Sequence, residues 1–178
     1  MAATRAAWAR PPWLVAGILV VVAAALGVIV FAVLPGAKDH RHNSVGNSAL
    51  SGDERAAMQA ARIETVNLLT YARKTFDADW ARALSGATGQ LKSDLQSDKA
   101  TTQDNLTKNK FDLTATVSDV GLAGGDARSG FQVLVVASGH RVDDSGTPSA
   151  AIPSRLQLTM TNVKGKWLAS DLQGTELS

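Results

Sequence analysis

Residues Asn109–Ser118 read NKFDLTATVS, and the fold turns on them. Before this stretch the apolar residues recur at steps of three and four. From Phe111 onward Phe111, Leu113, Ala115 and Val117 alternate with Asp112, Thr114, Thr116 and Ser118. A period near 3.6 belongs to a helix lying on a core, and a period of two to a half-buried strand. Helices are therefore expected upstream of this point and strands downstream.

Downstream, Ala123-Gly124-Gly125-Asp126 reads as a turn, and Phe131–Ala137, FQVLVVA, is apolar enough to be a central strand. The segment 143–154, DDSGTPSAAIPS, reads as a loop. Arg155–Thr161 alternates again with Leu156, Leu158 and Met160 on one face. Lys164-Gly165 predicts a tight turn before a fourth strand, Trp167–Leu172.

Upstream, Ser51-x-x-Glu54 has the form of a capping box, in which serine oxygen and glutamate satisfy backbone N–H groups at a helix start. No Gly or Pro interrupts Asp53–Phe76, and Ile63, Val66, Leu69, Ala72 and Phe76 form the expected buried stripe. Trp80–Leu84 begins a second helical piece, broken at Gly86 and Gly89. Leu91 to Leu106 is a polar third, with Leu91, Leu95, Ala100 and Leu106 as its apolar face. Helices followed by an antiparallel meander define an α+β layer fold. A long helix, short helices and four strands resemble the cone of the nuclear-transport-factor-2 (NTF2-like) superfamily, a likeness of architecture alone.

Trp13–Leu34, WLVAGILVVVAAALGVIVFAVL, carries no charge. A helix of that length spans about 33 Å, enough for a bilayer core. It is too long for a signal peptide, and Val33-Leu34-Pro35 is a poor cleavage site. The expected order is a cytoplasmic tail over residues 1–12, a transmembrane helix over 13–34, a linker over 35–52 and an extracytoplasmic NTF2-like domain over 53–178. The positive-inside count is balanced, Arg5 and Arg10 facing Lys38 and Arg41. The short N-terminal tail favours a cytoplasmic N-terminus in the cell membrane.

Beyond Arg5 and Arg10 the chain is formally neutral, and no basic patch suggests nucleic acid. The absence of cysteine excludes disulfides, thiol catalysis and cysteine-bound zinc. His40 and His42 lie in the linker without carboxylate neighbours and read as solvated. His140 falls where the second strand's pattern ends, at an expected rim. In Thr75–Trp80, TFDADW, the carboxylates of Asp77 and Asp79 read as helix caps at a corner, since Asp at an N-cap accepts an orphan N–H. Metal binding would require more oxygen ligands than this stretch supplies. Tyr71, Phe76, Trp80, Phe111, Phe131 and Trp167 are expected in the core, with the lining of a lipid cavity as the other reading. No catalytic, cofactor or metal site is expected, and the chain is read as non-enzymatic.

Glu64–Leu95, ETVNLLTYARKTFDADWARALSGATGQLKSDL, and Lys166–Leu172, KWLASDL, resemble the actinobacterial Mce-associated membrane proteins. The resemblance rests on Val66-Asn67-Leu68, the run from Tyr71 through Phe76-Asp77-Ala78-Asp79, Ala87-Thr88-Gly89, and Trp167 with Ser170-Asp171-Leu172. The family pattern has an aliphatic residue where this chain carries Phe76 or Trp80. The resemblance implies a single-pass accessory protein that stabilises an Mce lipid-import complex, with Mce proteins or the permease as partners. Two other readings stay open: a VirB8-like assembly subunit of a secretion or conjugation machine, and a lipid-binding NTF2-like domain.

Overall fold

The computed structural model of the protein describes residues 50–174. The expected tail, transmembrane helix and nearly all of the linker, with His40 and His42, lie outside these residues. Among the described residues no helix is long and apolar enough to cross a membrane.

Helix α1 covers Gly52–Leu69 and opens with the capping box: Glu54 N–H donates to Ser51 Oγ at 3.1 Å, and Ser51 N–H to Glu54 Oε2 at 2.6 Å. It stops seven residues before the expected end at Phe76. Thr70 is already extended, and Tyr71 exchanges both backbone bonds with Leu113, at 3.0 and 2.8 Å. Thr70 Oγ1 also accepts from Ala115 N–H. A β-branched residue followed by an aromatic one finds in the strand edge what another helical turn would have supplied.

The buried face of α1 also differs from the expected stripe. It consists of Ala57, Ala61, Glu64, Thr65 and Leu68, whereas Ile63 is 53% exposed. Small side chains let a helix approach a sheet closely, so the alanine face is the one that docks. Reading the stripe from the bulkiest residues turned the helix the wrong way.

Helix α2 is Phe76–Gly86 and α3 is Gly89–Asn109, the latter longer than its sequence pattern suggested. Leu91, Leu95 and Leu106 of α3 are buried as expected, but Thr102 takes the place assigned to Ala100, which is exposed. Lys110 closes α3 in the left-handed conformation (φ 53°, ψ 47°), its N–H bonding to Leu106 C=O.

The four strands are β1 (Phe111–Asp126), β2 (Gly130–Asp143), β3 (Ile152–Val163) and β4 (Lys166–Gly174), an antiparallel meander in chain order. The first strand is longer than NKFDLTATVS implied. A bulge between Val117 and Asp119 reverses its parity, so that Val120 and Leu122 continue the inner row begun by Phe111 and Leu113. The expected turn at Ala123–Asp126 is strand. The chain reverses at 127–129 instead, where Asp126 Oδ1 accepts the N–H groups of Arg128 and Ser129 at 2.7 and 2.8 Å. The glycines misled because Gly125 serves a close approach: a Cβ there would overlap the Gly130 carbonyl.

All helices lie on one face of the sheet, α1 against all four strands and α3 mainly against β4. Phe131, Val133, Val135 and Ala137 of β2 meet Leu156, Leu158 and Met160 of β3 beneath α1. The alternate residues Leu134 and Val136 point away from this core.

Candidate functional site

The chain between α1 and α2 makes a corner around which most of the sequence-predicted residues collect. Pairing with Leu113 places Tyr71 under α2, where it meets Phe76 and Trp80, with ring centroids 5.2–5.9 Å apart. All three rings are buried, at 2–4% exposure. They pack on one another, so their apolar area is spent on closing the corner. Phe131 and Trp167 pair separately, 5.1 Å apart on β2 and β4. Phe111 stands alone at the start of β1, beneath the Arg141 guanidinium. The six aromatics thus fall into three places. His140 belongs to none of the clusters: its Nδ1 lies 3.0 Å from the Ser149 carbonyl.

The two aspartates do not cap α2 as expected. The helix starts at Phe76 with Thr75 at its N-cap, so Asp77 and Asp79 sit inside the first turn. Asp77 is exposed and pairs with Lys99 of α3 at 2.6 Å. Asp79 is buried and reaches back: Oδ2 accepts from Ala72 N–H and Thr75 Oγ1, both at 2.9 Å, and Oδ1 accepts from Arg82 at 2.8 Å. Burial by itself would raise its carboxyl, but these bonds hold it below the usual carboxylate range. It fastens the connection that a cap would only have ended.

Sequence reasoning missed Glu64. It is 3% exposed on the docking face of α1. Asn67 donates to Oε2 at 3.1 Å, while Oε1 has no partner. Burial pushes its carboxyl up to about 7, against smaller lowering effects from Asn67 and Arg82. Gly86, at the end of α2, leaves the carboxylate its room, since a Cβ there would overlap Oε2. Asn67 and Arg82 bond at 3.0 Å, so a chain of contacts runs from Glu64 through Asn67 and Arg82 to Asp79. Burial, with Glu64 nearby, also raises the Tyr71 phenol above its ordinary value. The available signal was spacing: Glu64 lies three residues from Ala61 and seven from Ala57, on the small-residue stripe. Among the described residues no cluster of His, Asp or Glu could hold a metal ion.

The corner is an architectural device with one buried, half-satisfied carboxyl in it. The family description "Uncharacterized protein Rv1363c/MT1408-like" matches residues 16–173. The chain belongs to that family. No curated protein matches it. Solved structures share its fold at low identity. A periplasmic fragment of TraM superposes with a TM-score of 0.59 at 12% identity, covering 71% of this chain and 100% of the fragment. An IcmL-like type IV secretion system protein of Legionella pneumophila gives 0.57 at 13%, over 74% and 96%. CagV, a VirB8 homolog of the type IV secretion system of Helicobacter pylori, gives 0.53 at 11%, over 70% and 100%.

These findings correct the resemblance to Mce-associated proteins, and with it the expected Mce partners, permease, lipid transport and actinobacterial attribution. The matching family is the Rv1363c/MT1408-like one, and the IcmL-like protein and CagV, which share the fold, are type IV secretion system proteins. The quoted strings are fold-building ones. Ala87-Thr88-Gly89 and Trp167–Leu172 are two sides of one contact, in which Thr88 N–H donates to Ala169 C=O at 2.8 Å. Val66–Asp79 builds the corner. Such strings report an architecture, which unrelated partners can share.

Proposed function

We propose that the protein is a non-enzymatic, VirB8-like assembly subunit of a secretion or conjugation machine. The observation that carries this reading is the superposition of the described domain on nearly the whole of several type IV secretion proteins' domains. In this reading residues 13–34 anchor the chain, residues 35–52 link the anchor to the domain, and residues 53–178 work outside the cytoplasm with the N-terminus inside. The α+β layer is taken as a cone of the NTF2-like kind whose interior Tyr71, Phe76, Trp80, Phe131 and Trp167 fill, with Asp77 and Asp79 holding the corner. The domain then acts by presenting a surface to neighbouring subunits, and the anchor raises the local concentration at which weak contacts form.

Cross-linking in native membranes, followed by purification through a C-terminal tag and mass spectrometry, tests this. Channel or ATPase components of a secretion or conjugation machine are the expected captures. Recovery of intact, membrane-inserted protein without any such component would reject the reading. A reporter fused after Ser178 tests the orientation: activity only on the outer side is expected.

A further inference from the structure

Beside the corner, a concavity of about 470 Å³ lies where the end of α3, the start of β1 and the end of β2 meet. Lys110 and Arg141 line it, with Phe111, Thr147 and Ser149. Among the described residues neither cation makes an ion pair. Arg141 Cζ sits 5.1 Å from the centre of the Phe111 ring, and its Nε–H is buried without a hydrogen-bond partner. Its backbone is pinned, with N–H to Ser149 Oγ at 3.1 Å and C=O accepting from Ser149 N–H at 2.7 Å.

Two further features set the charge and the cost of this arrangement. Asp143, also in the lining, is committed to its own turn: Oδ1 accepts from Ser145 N–H, Ser145 Oγ and Thr147 N–H at 2.6–3.0 Å. The lining therefore carries two cations against one internally bonded anion, a surplus of a single positive charge. Lys110 reaches the concavity from a left-handed backbone (φ 53°), a conformation in which Gly or Asn is favoured. Strain of this kind persists where the surroundings enforce it, and it clusters at functional sites.

We propose that this concavity is a recognition site for a carboxylate carried on an acidic peptide segment of a protein partner. A guanidinium is a planar fork that matches a carboxylate, and Lys110 adds a second donor. One surplus charge suits a monoanionic carboxylate better than a dianionic phosphate. The volume accommodates two or three residues, with Phe111 as an apolar floor and hydroxyls at the wall. Because the walls are already bonded in place, little ordering cost opposes binding. The site stands on this geometry whichever machine the protein serves, so its failure would leave the assembly-subunit reading intact, and the reverse holds.

The test uses the full chain in detergent micelles, titrated with the blocked pentapeptide acetyl-Ala-Ala-Glu-Ala-Ala-amide, with its Gln counterpart and with inorganic phosphate. The NMR signals of Arg141 Nε–H and of the Lys110 and Ser149 amides report binding. A saturable shift is expected with the Glu peptide, about tenfold weaker with the Gln peptide, and weaker also with phosphate. Lys110→Asn should weaken binding at least severalfold while the melting temperature holds or rises, because Asn tolerates the left-handed backbone. Arg141→Lys should abolish the response in a folded protein. Absence of a saturable shift, equal response to the Glu and Gln peptides, or unchanged binding in Lys110→Asn overturns the proposal. Phosphate binding tighter than the Glu peptide would overturn it in favour of an inorganic oxyanion site.

Discussion

The two faces of the sheet are made from the same strands and have opposite fates. On β2, Phe131, Val133, Val135 and Ala137 are buried at 0–4% exposure, while Leu134 and Val136 between them are 41% and 39% exposed. Gly121 and Asp119 of β1 and Gln157 and Arg155 of β3 flank that exposed pair in register. Apolarity therefore does not distinguish the faces of β2; the cover of helices does. A strand rich in branched residues can hold its place in the sheet with one face bare, because its ladder bonds are complete on both edges.

The largest break in this comparison comes from truncating the covered face. Leu158→Ala, opposite Val133 and fully buried, should cost about 3 kcal/mol, from lost burial and the cavity left behind. Chemical denaturation of the two proteins measures it.

Glu64 sharpens the comparison, since it is a charged type placed on the covered side. Its folded carboxyl titrates near 7 against 4.5 for the free group, so its stabilising contribution is complete below pH 4.5 and is lost as pH rises through 7. Stability should fall by up to about 3 kcal/mol from this group between pH 4.5 and 8. Asp79, whose carboxyl is held low, works in the opposite sense: its contribution is present above pH 3.8 and lost as pH falls below it. Glu64→Gln should remove the loss on the neutral side and leave the acid limb in place, which denaturation at a series of pH values would reveal. An unchanged neutral limb would show that Glu64 is not responsible.

Gly86→Ala should cost about 2 kcal/mol, as a methyl group is forced onto a buried carboxylate. Combining it with Glu64→Ala should recover most of that loss, because the two positions share one space. The smallest effect belongs to the bare face. Leu134→Ala should change stability by less than about 0.5 kcal/mol. A larger loss would mean that the exposed row is packed more tightly than its exposure indicates.

Much of the architecture was legible in the chain. Alternation from Phe111, the apolar run at Phe131–Ala137, the alternation at Arg155–Thr161 and the Lys164-Gly165 turn yielded four strands in the correct order, and Ser51 with Glu54 marked the helix start. The candidate site was less legible. Tyr71, Phe76 and Trp80 were recognised as core, yet the roles of Asp77 and Asp79 depended on where α2 begins, which differs by only a few residues from the expected start. Glu64 was missed, because a glutamate on an alanine-rich helix has the composition of a solvated position and only its spacing from Ala57 and Ala61 marks it. Its burial follows from which side of α1 docks. Lys110 and Arg141 are 31 positions apart, and no local pattern joins them.

Periodicity, cap chemistry and turn residues are local properties, so the sequence by itself determined element types, their order and the antiparallel meander. Tertiary contact decided the rest. A mutual pair of hydrogen bonds between Tyr71 and Leu113 ended α1 at Leu69. The bulge at Val117–Asp119 exchanged the two faces of β1, and close approach to the sheet chose the alanine stripe over Ile63. In each case the local sequence pattern allowed more than one solution. A partner distant in the chain, bonded or packed against only one of them, selected it.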